Sequence, residues 1–238
     1  MCWSIEATGG MVALGVAGAV VSWWRRDASA IPLTILFFAA MEALQLWGYL
    51  VIDQCGTPSN QAATALSMLH IVIQPIFINA FLLAFLRPEA SPQLRRRVMR
   101  WATIASGLML LQLVPWPWTG ACELGRPLCG TPLCTVTGTW HLGWTVPYSD
   151  LFEAADRVLG TNFGFPAYVL AVFVMPLFYG AWRFTLFHAL IGPVAANLLT
   201  RNPNEAPAVW CLTSIFIATV VLVPGARTLF GARKPAAA

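Results

Sequence analysis

The chain has 238 residues, of which 58% are hydrophobic and only 10% charged, against the roughly 25% charge of soluble domains. A soluble fold of this length could not bury so much apolar surface, so lipid is expected to cover the rest. The formal charge is +4, but the basic residues lie in short clusters with no basic face and interleaved aromatics, so nucleic acid is not expected as a partner.

No basic residue precedes the first apolar run, and Arg25 and Arg26 follow it. That is the reverse of a secretory leader, so the run is expected to stay as a span. Stretches of about 17 to 25 apolar residues can cross hydrocarbon; they lie at 7–24, 31–52, 62–86, 101–116, 163–182, 184–200 and 207–223. The fifth and sixth are divided by a turn at 180–183. The expected fold class is an all-α membrane protein with seven transmembrane helices, N-terminus out and C-terminus in. It forms one membrane domain over 1–238, with an outer cap at 117–160 between spans four and five.

Cytoplasmic loops carry excess Lys and Arg. With the N-terminus outside, the inner side receives Arg25, Arg26, Arg87, Arg95, Arg96, Arg97, Arg100, Arg183, Arg227, Arg233 and Lys234, and the outer side Arg126, Arg157 and Arg201. That partition is 11 to 3, which sums to the 14 basic residues of the chain. The expected location is a bacterial inner (plasma) membrane with the cysteine-rich loops on the outer side. Cys2, Cys55, Cys122, Cys129 and Cys134 fall in outer segments, and Cys211 lies about one turn inside the last span. Up to three disulfides are expected, with 15 pairings open; for Cys2 and Cys211 the alternative is a small apolar residue in lipid.

The cap opens with a Gly/Pro/Cys-rich stretch, and CTVTGTWHLGWTVPY then has the composition of a short β-hairpin. Asp150 and Glu153 make a capping-box spacing before Leu151, Phe152, Ala155, Val158 and Leu159, the stripe of an amphipathic helix lying along the membrane surface. Trp116, Trp118, Trp140, Trp144 and Tyr148 read as an aromatic belt, or as part of a stapled lid over a pocket. Asp150, Glu153 and Asp156 read as a solvated face, or as oxygen ligands for a cation.

Ionisable residues at membrane depth are costly and often functional. Glu42 and Gln45 in the second span and Ser67, His70 and Gln74 in the third reach similar depths, because the two helices run antiparallel. A Glu42–His70 pair would lower the cost of burying either charge. Its role is either an interhelical clamp or a proton relay, ligand-orienting or metal site. His188 is too far from His70 in depth to share one ion, and His141 is in the cap. Asn79 and Asn197 are expected to bond across helices, and Pro75, Pro166, Pro176 and Pro193 to kink their helices.

Met1-Cys2-Trp3-Ser4, the MEALQ around Glu42 and the pattern from Gly192-Pro193 to Trp210-Cys211 resemble an uncharacterised family of polytopic membrane proteins that begin with MCWS. That resemblance spans most of the chain and implies the architecture and the joint importance of the second-span and third-span polar residues; it implies no chemistry. The layout is similar to that of alkaline ceramidases and related membrane hydrolases, whose motifs pair a Ser and a His on one helix with HxxxH. Here Ser67 and His70 are differently spaced and Gly192 stands where a second His would follow His188. The rhodopsin layout is similar too, but the single lysine, Lys234, lies in the tail, outside the bundle where a retinal Schiff base would form.

Three functions follow as expectations. The first is binding, or helping to move, a small or lipid-like ligand in an outward-opening pocket lined by Glu42, Gln45, Ser67, His70, Gln74, Trp140, His141 and Trp144. The second is a membrane-embedded lipid hydrolase using Glu42, Ser67 and His70, and the third an accessory or scaffold subunit of a larger membrane complex. No cofactor is identified, and catalytic and metal residues stay open.

Overall fold

Helix starts follow local capping chemistry. Ser4 accepts from the Ala7 amide to open α1 (Ile5–Trp24), and Thr57 accepts from Asn60 with Pro58 in the first turn of α3 (Pro58–Leu86). Ser91 does the same for Leu94, with Pro92 opening α4 (Pro92–Gln112), while α2 (Ala30–Leu50) has no side-chain cap. The computed structural model describes residues 3–152, 154, 157–158 and 164–231. Beyond the cap hairpin of β1 (Cys134–Thr137) and β2 (Leu142–Thr145), three further rods follow. They are α5 (Pro166–Phe178), α6 (182–199) and α7 (Ala206–Leu222), with a last turn α8 (Ala226–Leu229).

Among the described residues, only α1, α2 and α3 are long and apolar enough to cross a membrane by length and composition. Of the seven expected spans, three meet that measure. The fourth helix begins at Pro92, nine residues before the predicted start at 101, because Ser91 and Pro92 form the better opening, and its first turns carry Arg95, Arg96 and Arg97. It stops at Gln112, short of Pro115. Both α5 and α6 contain a wide π turn, at Leu170–Val174 and Leu190–Val194. Pro176 and Pro193 cannot donate to the helical ladder, and a π bulge is one way to absorb that loss. Pro75 sits inside an unbroken α3.

Contacts at both ends show that successive rods run in opposite directions. At the end bearing the disulfides, the Trp3 amide donates to Trp140 O at 3.0 Å, the Asp53 amide to Thr135 O at 3.0 Å and the Trp144 amide to Asn204 O at 2.9 Å. At the opposite end, Arg25 donates to Leu222 O at 2.8 Å, Arg87 to Tyr179 O at 2.6 Å and Arg183 to Leu229 O at 3.3 Å, and Arg227 pairs with Asp27. The break between α5 and α6 falls at Gly180, whose φ of +79° favours glycine and which packs against the Arg87 guanidinium.

Small residues set the helix spacing. A Cβ on Gly15 would lie 2.7 Å from Ala39 Cβ and 3.0 Å from Ile215 Cδ1, so α1, α2 and α7 meet at this point only because it is glycine. Asn79 bonds across helices as expected: it donates to Ala171 O at 3.0 Å and accepts from the Tyr179 hydroxyl at 2.8 Å. Asn197 departs from expectation: among the described residues it donates to Pro193 O of its own helix.

The cap is a folded element. β1 and β2 pair antiparallel, with Thr135 opposite Trp144. Cys55–Cys134 ties β1 to the α2–α3 loop, and Cys122–Cys129 closes a loop ahead of the hairpin. Cys211 is a buried free thiol, which removes it from the expected disulfides, and Cys2 lies outside the described residues. Trp144 and Tyr148 are buried, not members of a lipid belt, because the hairpin turns that face onto the helices; Trp118 remains exposed. Most of the expected amphipathic helix, with Glu153 and Asp156, lies outside the described residues, and Asp150 forms an ion pair with Arg126.

Candidate functional site: a cavity and a buried polar seam

Between α3, α5, α6 and α7 lies a cavity of about 450 Å³. Its wall is mainly apolar and aromatic, from Phe38, Ile71, Met109, Phe165, Phe173 and Trp210, with Leu128 of the cap and Pro203 closing the cap end. The partly exposed lining residues Val169, Ala189, Pro193 and Asn197 mark its rim on the α5–α6 flank. The outer faces of both helices there present Leu170, Val194 and Leu198.

The polar groups of the wall are few and mutually oriented. The Tyr168 hydroxyl donates to Gln74 Oε1 at 2.6 Å, and Gln74 Nε2 donates toward Cys211 Sγ at 3.7 Å. Trp210 Nε1 donates to His188 Nε2 at 3.2 Å, which assigns the His188 proton to Nδ1. This contact depends on Gly192, where a Cβ would fall on the Trp210 indole. An apolar chamber with a small set of fixed polar groups has the usual form of a small-molecule site.

Of the sequence-predicted site residues, Gln74 alone lines this cavity. Glu42 and His70 share no hydrogen bond or ion pair. His70 Nε2 bonds Phe37 O at 2.7 Å, its ring stacks on Phe37 at 3.7 Å, and its Nδ1 faces Gln74. Ser67 is buried with no hydrogen-bond partner among the described residues, so it does not join His70 in a nucleophile–base pair. Gln45 donates to Ala208 O at 3.3 Å, which anchors α2 to α7. Glu42 is fully buried, and neither carboxylate oxygen has a hydrogen-bond partner among the described residues. Among the described residues no group of three or more His, Cys, Asp or Glu could hold a metal ion.

Trp140, His141 and Trp144 belong to the hairpin at the cap end. The turn between the strands wraps around a carboxylate that the sequence reading did not single out. Glu205 Oε2 accepts from the Thr139 amide at 3.0 Å and the Thr200 hydroxyl at 2.8 Å; Oε1 accepts from the Trp140 amide at 2.5 Å and from the His141 amide. Successive backbone amides aimed at one anion form a nest. Desolvation works against the charged form, but the four donors outweigh it and hold Glu205 below the ordinary carboxylate range. Burial pushes the His141 imidazole down to about 4 against the pull of Glu205. The Leu142 amide donates to His141 Nδ1 at 2.7 Å, which further fixes the neutral ring with its proton on Nε2. Glu205 opens α7 after Asn202-Pro203-Asn204, and that helix-start context was its one sequence signal.

No curated protein and no solved structure matches the chain. A family model matches nearly all of it, from residue 6 to residue 230. The chain therefore belongs to a family of unknown function, DUF5765.

Proposed function

We propose that this is an integral membrane protein that crosses the bilayer seven times, with its cap on the outer side, and that it holds a small lipid-like ligand in the cavity between α3, α5, α6 and α7. The observation that carries the reading is the cavity itself. Its volume of about 450 Å³ falls within the roughly 300–1,000 Å³ of ligand sites. Its rim meets the apolar flank of α5 and α6, so an apolar molecule would enter from lipid without crossing water. Gln74, with Tyr168 and Cys211 beside it, would orient a polar headgroup, while the phenyl and indole rings take the chain. Glu42, Gln45 and His70 stand behind that wall and would act on the ligand through Gln74 and Cys211. Three of the rods that fall short of a full apolar span, α5 to α7, form the cavity together with α3. The orientation follows from the basic clusters at the end opposite the cap.

A brominated single-chain lipid added to the reconstituted protein should quench the share of tryptophan fluorescence that Trp210→Phe removes. Ala189→Phe, which fills the chamber beside Trp210, should weaken that quenching at least about tenfold, the loss of roughly 1.4 kcal/mol of binding. Equal quenching in the two proteins would mean the lipid sits elsewhere.

A further inference from the structure

We propose that one face of α2 forms a hydrated proton-access path, running from His141 under the cap past Tyr49 and Gln45 to Glu42, which is its proton-binding terminus. Residues 42, 45 and 49 share one helical face, spaced by three and four, and span about 10 Å along the axis. Each ends in an atom that is buried and unpaired among the described residues: both Glu42 oxygens, Gln45 Oε1 and the Tyr49 hydroxyl. The next group outward, His141 Nε2, is also buried and unpaired, and its ring lies 5.5 Å from Tyr49. The Tyr49 hydroxyl approaches the Leu142 amide, but that N–H is committed to His141 Nδ1. Buried polar atoms are rarely left unpaired, and a continuous row of them, each with a free donor or acceptor, is what a chain of internal waters satisfies.

The surroundings of Glu42 leave a proton as the simplest neutralising species. Cys211 of α7 faces it within Coulombic range, as does Tyr49 along its own helix. Ser67 of α3 stands at the same level, since Thr34 bonds Phe77 O and Asn60 bonds Val51 O on either side of it. His70 is turned to Phe37 O, and Glu205 is committed to the hairpin amides. α1 brings no titratable group to this depth among the described residues, and no arginine or lysine reaches it. A hydronium ion arriving from the cap side gives its proton to a Glu42 oxygen, forming the O–H bond and leaving water. At the inner end, Cys211 and Gln74 separate Glu42 from the cavity, but the path does not depend on what the cavity binds.

Infrared difference spectroscopy of the full chain in lipid tests this without any ligand. A protonated carboxylic C=O band should be present, vanish in Glu42→Gln, and shift within minutes of transfer to D2O. Tyr49→Phe, which removes the hydroxyl but keeps the ring, should slow that shift several-fold. Should Glu42→Gln not fold, Glu42→Asp should displace the same band. Absence of a band that responds to Glu42, a band that never exchanges, exchange equally fast in Tyr49→Phe, or a band seen only after sodium is replaced by choline would each overturn the proposal, the last in favour of a metal cation.

Discussion

Glu205→Ala is expected to release the cap hairpin from the helices. The substitution strips the acceptor from three consecutive amides, Thr139, Trp140 and His141, and from the Thr200 hydroxyl. Gly138 packs so tightly on the carboxylate that a Cβ there would lie 2.6 Å from Glu205 Cδ, so the turn is shaped around this one group. Each buried donor left unpaired costs about 1–3 kcal/mol, and partial access of water to the opened turn brings the sum to about 3–5 kcal/mol. Limited proteolysis should cut between the strands in the variant and not in the parent, at a temperature where the helices still hold. An intact hairpin in Glu205→Ala would contradict the assignment.

The same contacts give the cap a pH dependence with one sign. Above the ordinary imidazole value of 6.5, His141 is neutral whether folded or not, and its burial costs nothing extra. As pH falls from 6.5 toward about 4, the released hairpin takes up a proton that the folded one refuses, and stability is lost. Glu205, held low when folded, adds a second loss as pH falls through its ordinary 4.5 and below. The protease-resistant cap should therefore weaken on acidification, beginning near pH 6.5, and His141→Gln should remove the upper part of that transition.

Loss of the Cys55–Cys134 bridge is the second large effect. It closes a separation of 79 residues, against 7 for Cys122–Cys129. On the chain-entropy estimate the long loop is worth about 4.5 kcal/mol and the short one about 2.5 kcal/mol. α3 and α4 lie inside the long loop and keep their helical form when the cap opens, so its value is an upper limit. The paired substitution Cys55→Ser with Cys134→Ser should lower the melting temperature more than Cys122→Ser with Cys129→Ser. It should not detach β1, because Asn60 Nδ2 still donates to Thr135 O, its Oδ1 accepts from the Thr135 amide, and Asp53 holds Thr137. A larger loss from the short-loop pair would contradict this ranking.

What the sequence made legible was what short-range chemistry decides. The hairpin was visible in alternating Thr, Val and Trp around Gly138 and Gly143, and the helix break at Gly180 in a chain too long to be one span. The oxidised pairs were drawn from the right loop cysteines, without their partners being knowable. The antiparallel register of α2 and α3, and with it the similar depth of Glu42 and His70, was also legible.

Which side each residue faces was not legible. His70 could be placed beside Glu42 by depth, yet rotation about α3 turns it onto Phe37 and leaves Gln74 toward the cavity. The cavity itself depends on π turns in α5 and α6, which shift the helical phase of everything beyond them, so no heptad reading could align His188 with Trp210. Trp144 carries a surface-belt composition but is buried by a hairpin whose facing is set from afar, by Asn204 and Glu205.

The account rests on the cap and the basic clusters lying on opposite sides of a bilayer. Single cysteines introduced at Ser59 and at Arg26, with Cys2 replaced by Ser, can be probed on intact cells with a membrane-impermeant maleimide. Position 59 should label at once and position 26 only after the membrane is opened; labelling of both from the same side would contradict the arrangement.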